Sequence, residues 1–554
     1  MKLGKNLHWL IYGLFLFAFA CARQSSPTGG PKDTIPPTLI STVPPDESTN
    51  FAGTSIELLF NEMVQVDNPR EQLIINPSIG KDYKIEARKN SIILSRLENL
   101  EDSTTYTFNF RESVKDVTER NPARNLRLAI STGSYIDSLS IKGTVVRQIS
   151  QEPQKGITVT LAQYTDTFNL FKHPSTYFTE TNEKGEFTLA NLKPGIYWLN
   201  AIHDTNKNLI ADSKNEAYGF VADSILLDGN KEGFHFGIVK LDARALKLTS
   251  ARPYNTYFNI KLSKNTSNVT LTTTDSTQLY YTYGADRANV QLYNTLTNAD
   301  SIQLRLIATD SIANKIDTTF YAKFTDREVE PEQFTAQQTA TTWKLDEEEI
   351  STTIKFSKPL KEINFDSAYV QLDSATRRFF QPALVEYNEL ERELQLTLKI
   401  PKQDWIKIEE AATANETQVE PATIYLGTAS FISIENDSST RITQSIKPQK
   451  PDGLGIIIAE TTPMQASQII ELLDKSGKVV NRAVGKTSAT FANLEPGEYM
   501  LRSIIDKNKN GQWDPGNYLT RQEPEQIIYY INETDTKTIK LNANWELGPL
   551  LITY

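Results

Sequence analysis

The sequence contains very little cysteine: Cys21 is the only one among 554 residues. A chain with a single cysteine cannot form an internal disulfide, so no covalent cross-link stabilises its fold even in an oxidising compartment. Histidine is nearly as scarce, with four in the chain. His173, His203 and His235, which follow the first twenty residues, lack the spacing of a metal site.

Positive charge is also in deficit, since 58 lysines and arginines face 68 aspartates and glutamates, for a net charge of −10. An acidic chain without a basic patch argues against a nucleic-acid partner. The sequence contains no Gly-x-Ser-x-Gly elbow, His-Glu-x-x-His helix or glycine-rich phosphate loop. We therefore expect a protein that is not an enzyme and does not bind nucleic acid.

The first twenty residues have the organisation of a secretion signal. Lys2 and Lys5 precede an apolar run over residues 10–20, which is too short to span a bilayer. The segment Ala18-Phe19-Ala20-Cys21 resembles a lipobox, and the resemblance implies that Cys21 carries a lipid anchor. The alternative is an ordinary cleaved signal followed by an accidental cysteine. Residues 21–35 are rich in serine, proline and glycine, and are predicted to form a flexible tether.

Hydrophobic residues beyond the tether alternate with a period of two. Ile56, Leu58 and Phe60 form one such series, and Leu394 and Leu396 belong to another. This pattern is typical of strands with one buried and one solvated face, and no long amphipathic helix is predicted. We expect an all-β chain of tandem β-sandwich domains, Ig-like and transthyretin-like. The predicted segments are a signal at 1–20, the tether at 21–35, and domains at 36–133, 138–241, 242–326, 327–446 and 450–554.

An internal repeat links two of these domains. Residues 190–212 align without gaps to residues 492–514, and 13 of the 23 positions are identical. Each copy contains a Leu-x-Pro-Gly turn, in which Gly195 or Gly497 is expected to supply a positive φ. The same module is therefore predicted to occur twice.

Two family resemblances follow from these motifs. Residues 143–145, 156–161, 185–187 and 192–197 resemble the regulatory-domain family of carboxypeptidases, which implies a non-catalytic, transthyretin-like sandwich at 138–241 and again at 450–554. Residues 36–133, with Pro36-Pro37 and the strand end Phe60-Asn61-Glu62, resemble the bacterial Ig-like domain named after the S-layer protein SbsA. The whole order resembles Bacteroidota lipoproteins that contain Ig-like domains.

A loop rich in aspartate and asparagine follows the repeated turn. Numbered from its first aspartate, each copy places side-chain oxygens at positions 1, 3, 5, 9 and 12, the spacing of an EF-hand-type calcium loop. The alternative is a turn whose side chains bond their own backbone. The candidate ligands of a structural calcium ion are Asp506, Asn508, Asn510, Asp514 and Asn517 in the second copy, and Asp204, Asn206, Asn208, Asp212 and Asn215 in the first.

One aromatic cluster leaves the function open. Tyr280, Tyr281 and Tyr283 would stack on sugar rings if they were exposed, but would be core residues if buried. We expect a non-catalytic, lipid-anchored protein of the outer membrane, attached through its N-terminal lipid and bound to another envelope protein. The alternative is a glycan-binding lipoprotein at the cell surface.

Overall fold

The computed structural model describes residues 33–274, 277–295, 301–324, 330–449, 453–462 and 467–553. Cys21, the predicted signal and most of the predicted tether lie outside this part. Within it, strands dominate and helices are few, so the prediction of an all-β chain of tandem sandwiches is confirmed.

The first domain pairs its strands in the sheets β1-β2-β6-β5, β4-β7-β9 and β3-β8, and has one short helix, Pro69–Gln72. Its strands are Leu39–Val43 (β1), Ser55–Phe60 (β2), Val64–Val66 (β3), Ile74–Asn76 (β4), Lys84–Arg88 (β5), Ser91–Ser95 (β6), Thr105–Asn109 (β7), Val114–Asp116 (β8) and Arg127–Ser131 (β9).

The second domain packs a sheet of order β13-β10-β17 against one of order β12-β11-β14-β15, with β16 also paired to β14. Its strands are Leu139–Arg147 (β10), Thr158–Gln163 (β11), Tyr177–Glu180 (β12), Glu186–Leu192 (β13), Gly195–Ile202 (β14), Tyr218–Phe220 (β15), Ile225–Leu227 (β16) and Lys231–Ile238 (β17).

The third domain has the sheets β18-β19-β22-β21 and β20-β23-β24. Its strands are Leu248–Tyr254 (β18), Tyr257–Leu262 (β19), Asn268–Thr273 (β20), Tyr281–Tyr283 (β21), Asn289–Tyr293 (β22), Ile302–Thr309 (β23) and Lys315–Ala322 (β24).

The fourth domain has the sheets β25-β26-β31-β30, β29-β28-β32-β34 and β27-β33. It also contains the 3₁₀ turns Phe365–Ser367 and Pro382–Leu384 and the helix Lys402–Ala414. Its strands are Ala336–Lys344 (β25), Glu349–Phe356 (β26), Leu360–Ile363 (β27), Ala368–Gln371 (β28), Arg377–Phe379 (β29), Val385–Asn388 (β30), Glu393–Lys399 (β31), Ala422–Leu426 (β32), Phe431–Ser433 (β33) and Ile442–Ile446 (β34).

The fifth domain repeats the topology of the second, with sheets β38-β35-β42 and β37-β36-β39-β40 and β41 paired to β39. It contains one 3₁₀ turn, Tyr518–Thr520. Its strands are Gly455–Thr461 (β35), Ser467–Asp474 (β36), Val479–Val484 (β37), Ser488–Leu494 (β38), Gly497–Asp506 (β39), Ile527–Tyr529 (β40), Ile539–Leu541 (β41) and Glu546–Ile552 (β42).

The period-two series form the cores of these domains. Ile56, Leu58 and Phe60 are fully buried in the first core, and Leu394 and Leu396 are fully buried in the fourth. Burying one such side chain stabilises the fold by roughly 1.5–3 kcal/mol. Each domain has a separate core, while the residue boundaries given above for the domains stay a prediction.

The helix Lys402–Ala414 was not predicted from the sequence. It connects β31 to β32, and Trp405 is its one buried residue, with Ile408 packed partly against the same core. Trp405 meets Trp343 edge to face, with ring centroids 4.8 Å apart. Two inward positions on a polar 13-residue helix are too few to create a visible helical period. No helix in the described part of the chain is long and apolar enough to cross a membrane.

The repeated turn does not take the positive φ that the sequence led us to expect at its glycine; in each copy the positive φ belongs to an asparagine of the preceding strand, at a register shift of its pairing. Asn191 and Asn493 adopt φ values of 56° and 57°, while Gly195 and Gly497 do not take up the left-handed conformation. Asparagine tolerates this region because its short side chain bonds locally. Glycine at position 195 has another role, since a Cβ there would lie 3.2 Å from the ring of Tyr197.

Candidate functional site

The second repeated loop begins at the end of β39 with a fully buried carboxylate. Asp506 Oδ1 accepts a hydrogen bond from the N–H of Asn510 at 3.1 Å, and Oδ2 accepts one from Gly511 at 3.0 Å. The carboxylate thus closes a turn in which Lys509 and Gly511 have φ values of 62° and 73°. Asn508 Oδ1 adds a bond from the same Asn510 amide.

The first copy makes the same turn. Asp204 accepts bonds from the N–H groups of Asn208 at 3.1 Å and Leu209 at 2.9 Å. Leu209, which replaces the glycine of the second copy, adopts a φ of 62°. A leucine in this region is strained, so the buried carboxylate of Asp204 holds the turn against a local preference for another conformation.

A glutamate braces each loop, and sequence analysis missed both. Glu525 accepts bonds from the N–H of Lys507 at 2.6 Å and of Asp514 at 3.0 Å. Glu216 accepts the corresponding bonds from Thr205 and Asp212, each at 2.9 Å. The glutamates occupy different places in the sequence, twelve residues after the first aspartate in one copy and nineteen in the other, so alignment does not reveal their shared role.

The second loop concentrates negative charge in a buried place. Burial raises the pKa of Glu525, and the neighbouring charges of Asp514 and Asp506 raise it further, against the effect of its backbone hydrogen bonds. A cation near Glu525 would favour the charged form of this carboxyl group and so oppose that shift.

The carboxylate oxygens of the second loop already accept hydrogen bonds from groups of the loop itself. Asn508 Nδ2 and Asn510 Nδ2 donate to Asp514 Oδ2 at 2.5 and 3.0 Å. A calcium ion next to Asp514 would have to replace these two amide donors with oxygen ligands. No three acidic, histidine or cysteine groups of the described residues are arranged to hold a metal ion. The calcium site stays a prediction, as does its alternative of a self-bonded turn.

The asparagines at the last predicted ligand position differ between the two copies in what they contact. Asn517 Oδ1 accepts a bond from Leu519 at the start of the 3₁₀ turn, while its Nδ2 donates to the carbonyl of Ile312 in the third domain. Asn215 Nδ2 donates to Asp212 Oδ2 at 2.7 Å. The amide of Asn517 therefore serves a contact between domains rather than the loop.

The segment that follows the second loop packs onto the second domain. Tyr518 is buried, and its ring meets Phe171 and Phe220 at centroid distances of 4.9 and 5.3 Å. Its hydroxyl oxygen accepts a bond from the N–H of Leu170 at 2.9 Å. The guanidinium of Arg521 lies over the ring of Trp198, 3.9 Å from its centroid. The two repeated modules are thus joined directly, although more than 300 residues separate them.

Glu525 connects the loop to this junction. Its side chain braces the loop, and its carbonyl oxygen accepts bonds from Gln148 Nε2 of the second domain and from Trp513 Nε1, both at 3.0 Å. Nearby, Glu523 Oε1 accepts a bond from the N–H of Ala222 at 2.7 Å. A change in the conformation of the loop would therefore alter the hydrogen bonds that join the two modules.

The first loop borders a cleft between the first and second domains. The cleft has a volume of about 590 Å³, and Asp204, Lys207 and Leu209 contribute to its wall. Lys207 and Arg111, from opposite sides, both pair with Glu180. The repeated loops thus lie at two different inter-domain contacts.

The remaining candidates from the sequence fall into structural roles. Tyr283 is buried in the third core, Tyr281 packs partly against it, and Tyr280 packs beside Tyr257. Only Tyr283 is therefore a core residue, while Tyr280 and Tyr281 are half-buried, and the glycan-binding alternative stays a prediction. His203 is exposed, whereas the adjacent Asp204 is buried.

A comparison with solved structures finds matches of low sequence identity and low TM-score. The surface layer protein SbsC, domains 1–6, is 10% identical over 92% of this chain and 68% of its own, with a TM-score of 0.14. BcpA, the major pilin subunit of Bacillus cereus, is 11% identical over 75% of this chain and 98% of its own, with a TM-score of 0.12.

A DUF3823 family protein from Bacteroides ovatus is 13% identical over 33% of this chain and 96% of its own, with a TM-score of 0.12. A comparison with curated proteins gives no match. A family model, in contrast, matches the first domain: residues 33–132 are similar to the family described as a bacterial Ig-like domain.

Proposed function

We propose that this chain is a non-catalytic envelope protein, anchored to the outer membrane by a lipid on Cys21, that binds another envelope protein as an accessory subunit of a membrane complex. The five sandwiches hold the binding surfaces, and the predicted tether of residues 21–35 separates them from the membrane.

The observation that carries this proposal is the direct contact between the second and fifth domains. Tyr518, buried among Phe171 and Phe220, joins the end of the chain to a domain near its start. Asn517 reaches the third domain through its bond to Ile312. A chain closed in this way presents its outer surfaces in fixed relation, which lowers the entropic cost of binding a large partner.

A lysine buried in the fourth domain has a structural role. Lys358 is 2% exposed, and its ammonium donates to Glu435 at 2.6 Å and to Asp437 at 2.7 Å. Burial acts to lower the pKa of Lys358, but the two carboxylates outweigh it and raise the pKa above its ordinary value. A lysine kept protonated is not a nucleophile, so this group serves the fold.

Replacing Cys21 with alanine is expected to release the protein from the membrane fraction. The reason is that the lipid chains supply the attachment, at about 0.8 kcal/mol per buried CH₂ group. Fractionation of cells into membrane and soluble material measures the result, and Ser26→Ala in the same tether is the control that should stay in the membrane. Retention of Cys21→Ala protein in membranes washed with high salt would contradict the anchor.

A further inference from the structure

Strands β12 and β37 occupy the same edge of the same sheet in the two repeated modules. In the second domain, Phe178 pairs with Thr160, which pairs with Asn200. In the fifth domain, Arg482 pairs with Glu471, which pairs with Arg502. Asn200 and Arg502 are equivalent positions of the aligned repeat. Arg482 of β37 is therefore the structural equivalent of Phe178 of β12.

The edge of the first module is covered by the Ig-like domain. Asn76 Oδ1 accepts a bond from the N–H of Phe178 at 2.7 Å, and Asn76 Nδ2 donates to the carbonyl of Phe178 at 2.6 Å. The N–H of Ser78 donates to the carbonyl of Thr176 at 2.7 Å. The side chain of Asn76 and the backbone of Ser78 thus bond the outward groups of this edge, as a neighbouring strand would.

Within the described part of the chain, no other domain bonds the edge of the second module in this way. Strand β37 pairs with β36, and no other described strand pairs with it. The N–H of Arg482, which is equivalent to the N–H of Phe178, donates to Asn481 Oδ1 within its own strand at 2.8 Å. Val480 and Val484 are 49% and 45% exposed. The edge therefore presents apolar side chains and main-chain groups that an added strand can pair with.

The charge around this edge is opposite to that of the whole protein. Between Lys475 and Leu494 the sequence has no acidic residue, and four exposed cations flank or lie on the strand: Lys475, Lys478, Arg482 and Lys486. Of these, Arg482 also lies 3.9 Å from Glu471 on the neighbouring strand and donates to the carbonyl oxygen of Gly511. The chain as a whole has a net charge of −10. A basic strand edge on an acidic protein selects a partner of negative charge.

We infer that β37 is a docking edge that accepts an extended, acidic segment of a partner protein as an added strand. The assignment rests on the proposed interaction role and names the surface that performs it. A second copy of this chain is a poor occupant, because pairing β37 with itself would place Arg482 and its neighbouring lysines opposite like charges. Lysine on an edge also discourages indiscriminate pairing, which leaves an acidic strand as the matching one.

A synthetic peptide of four Glu-Val repeats, labelled with fluorescein, tests the edge on the full chain without its signal. Fluorescence anisotropy should show saturable binding that weakens with added salt. Arg482→Glu should weaken the binding at least tenfold because it reverses the charge. Val484→Pro should do the same because it removes an N–H on the outer side, a change that edge strands tolerate. Lys540→Glu, on an exposed position of β41, is the matched control and should bind as the natural protein does.

An analogue peptide with alternate N-methylated amides should fail to bind, because it cannot complete the main-chain ladder. Absence of saturable binding at millimolar peptide, or binding by Arg482→Glu and Val484→Pro as strong as that of the unchanged protein, would overturn the assignment. Co-purification separates this failure from failure of the proposed function. If Arg482→Glu protein still retains a stoichiometric membrane partner, the edge assignment is wrong and the interaction role stands.

Discussion

Tyr518→Ala is expected to detach the fifth domain from the second while both domains remain folded. The ring contacts Phe171 and Phe220, and truncating a buried aromatic side chain typically destabilises by about 3–5 kcal/mol. The contact lies outside the cores of the two domains, so the loss falls on their association. Small-angle X-ray scattering should record a larger radius of gyration.

Hydrogen exchange gives a local readout of the same change. The N–H of Leu170 donates to the hydroxyl oxygen of Tyr518, and it should lose protection in both Tyr518→Ala and Tyr518→Phe. Only the alanine variant should expand, because phenylalanine keeps the ring contacts. Leu519→Ala is the matched control, since Leu519 is 52% exposed in the same turn and should change stability by no more than about 0.5 kcal/mol. A compact Tyr518→Ala protein with a protected Leu170 amide would show that the junction does not depend on this ring.

The second large effect concerns calcium. If the second loop holds the ion, calcium at a hundred times its dissociation constant should stabilise the fifth domain by about 2.7 kcal/mol, because the ion binds only the folded loop. The thermal midpoint of the fifth domain in the full chain should then rise with calcium and fall with a chelator. Hydrogen exchange over residues 506–514 identifies which domain responds.

The variants of this test differ in which loop they change. Asp506→Ala should abolish the calcium response, because Asp506 is the fully buried carboxylate at the first ligand position. Asp204→Ala, the matched change in the first copy, should leave the response of the fifth domain intact. A midpoint unaffected by millimolar calcium would leave both loops as self-bonded turns, with Asp514 hydrogen-bonded by the side-chain amides of Asn508 and Asn510.

The sequence was sufficient to predict the strands because burial on one face imposes a period of two. Ile56, Leu58 and Phe60 are fully buried as the alternation required. The helix Lys402–Ala414 escaped prediction because Trp405 is its only buried residue. With only Ile408 packing inward beside it, the helix shows no hydrophobic period.

The contacts of the candidate site could be predicted less well, because they join residues distant in sequence. The repeat places Asp204 and Asp506 correctly at the start of matching turns. It does not identify Glu216 and Glu525, whose spacing from those aspartates differs between the copies. Nor does any local pattern show that Tyr518, within a polar loop, is buried against a domain 348 residues away. Such contacts depend on how domains meet, which periodicity does not encode.

The native mass of the protein extracted from membranes in mild detergent tests the central claim most directly. A role as an envelope interaction partner predicts a complex heavier than the 62.5 kDa of the full sequence, with a second protein in fixed stoichiometry that remains bound through purification. A lipidated protein that runs alone at its own mass, with no partner recovered after crosslinking in intact cells, would contradict that role.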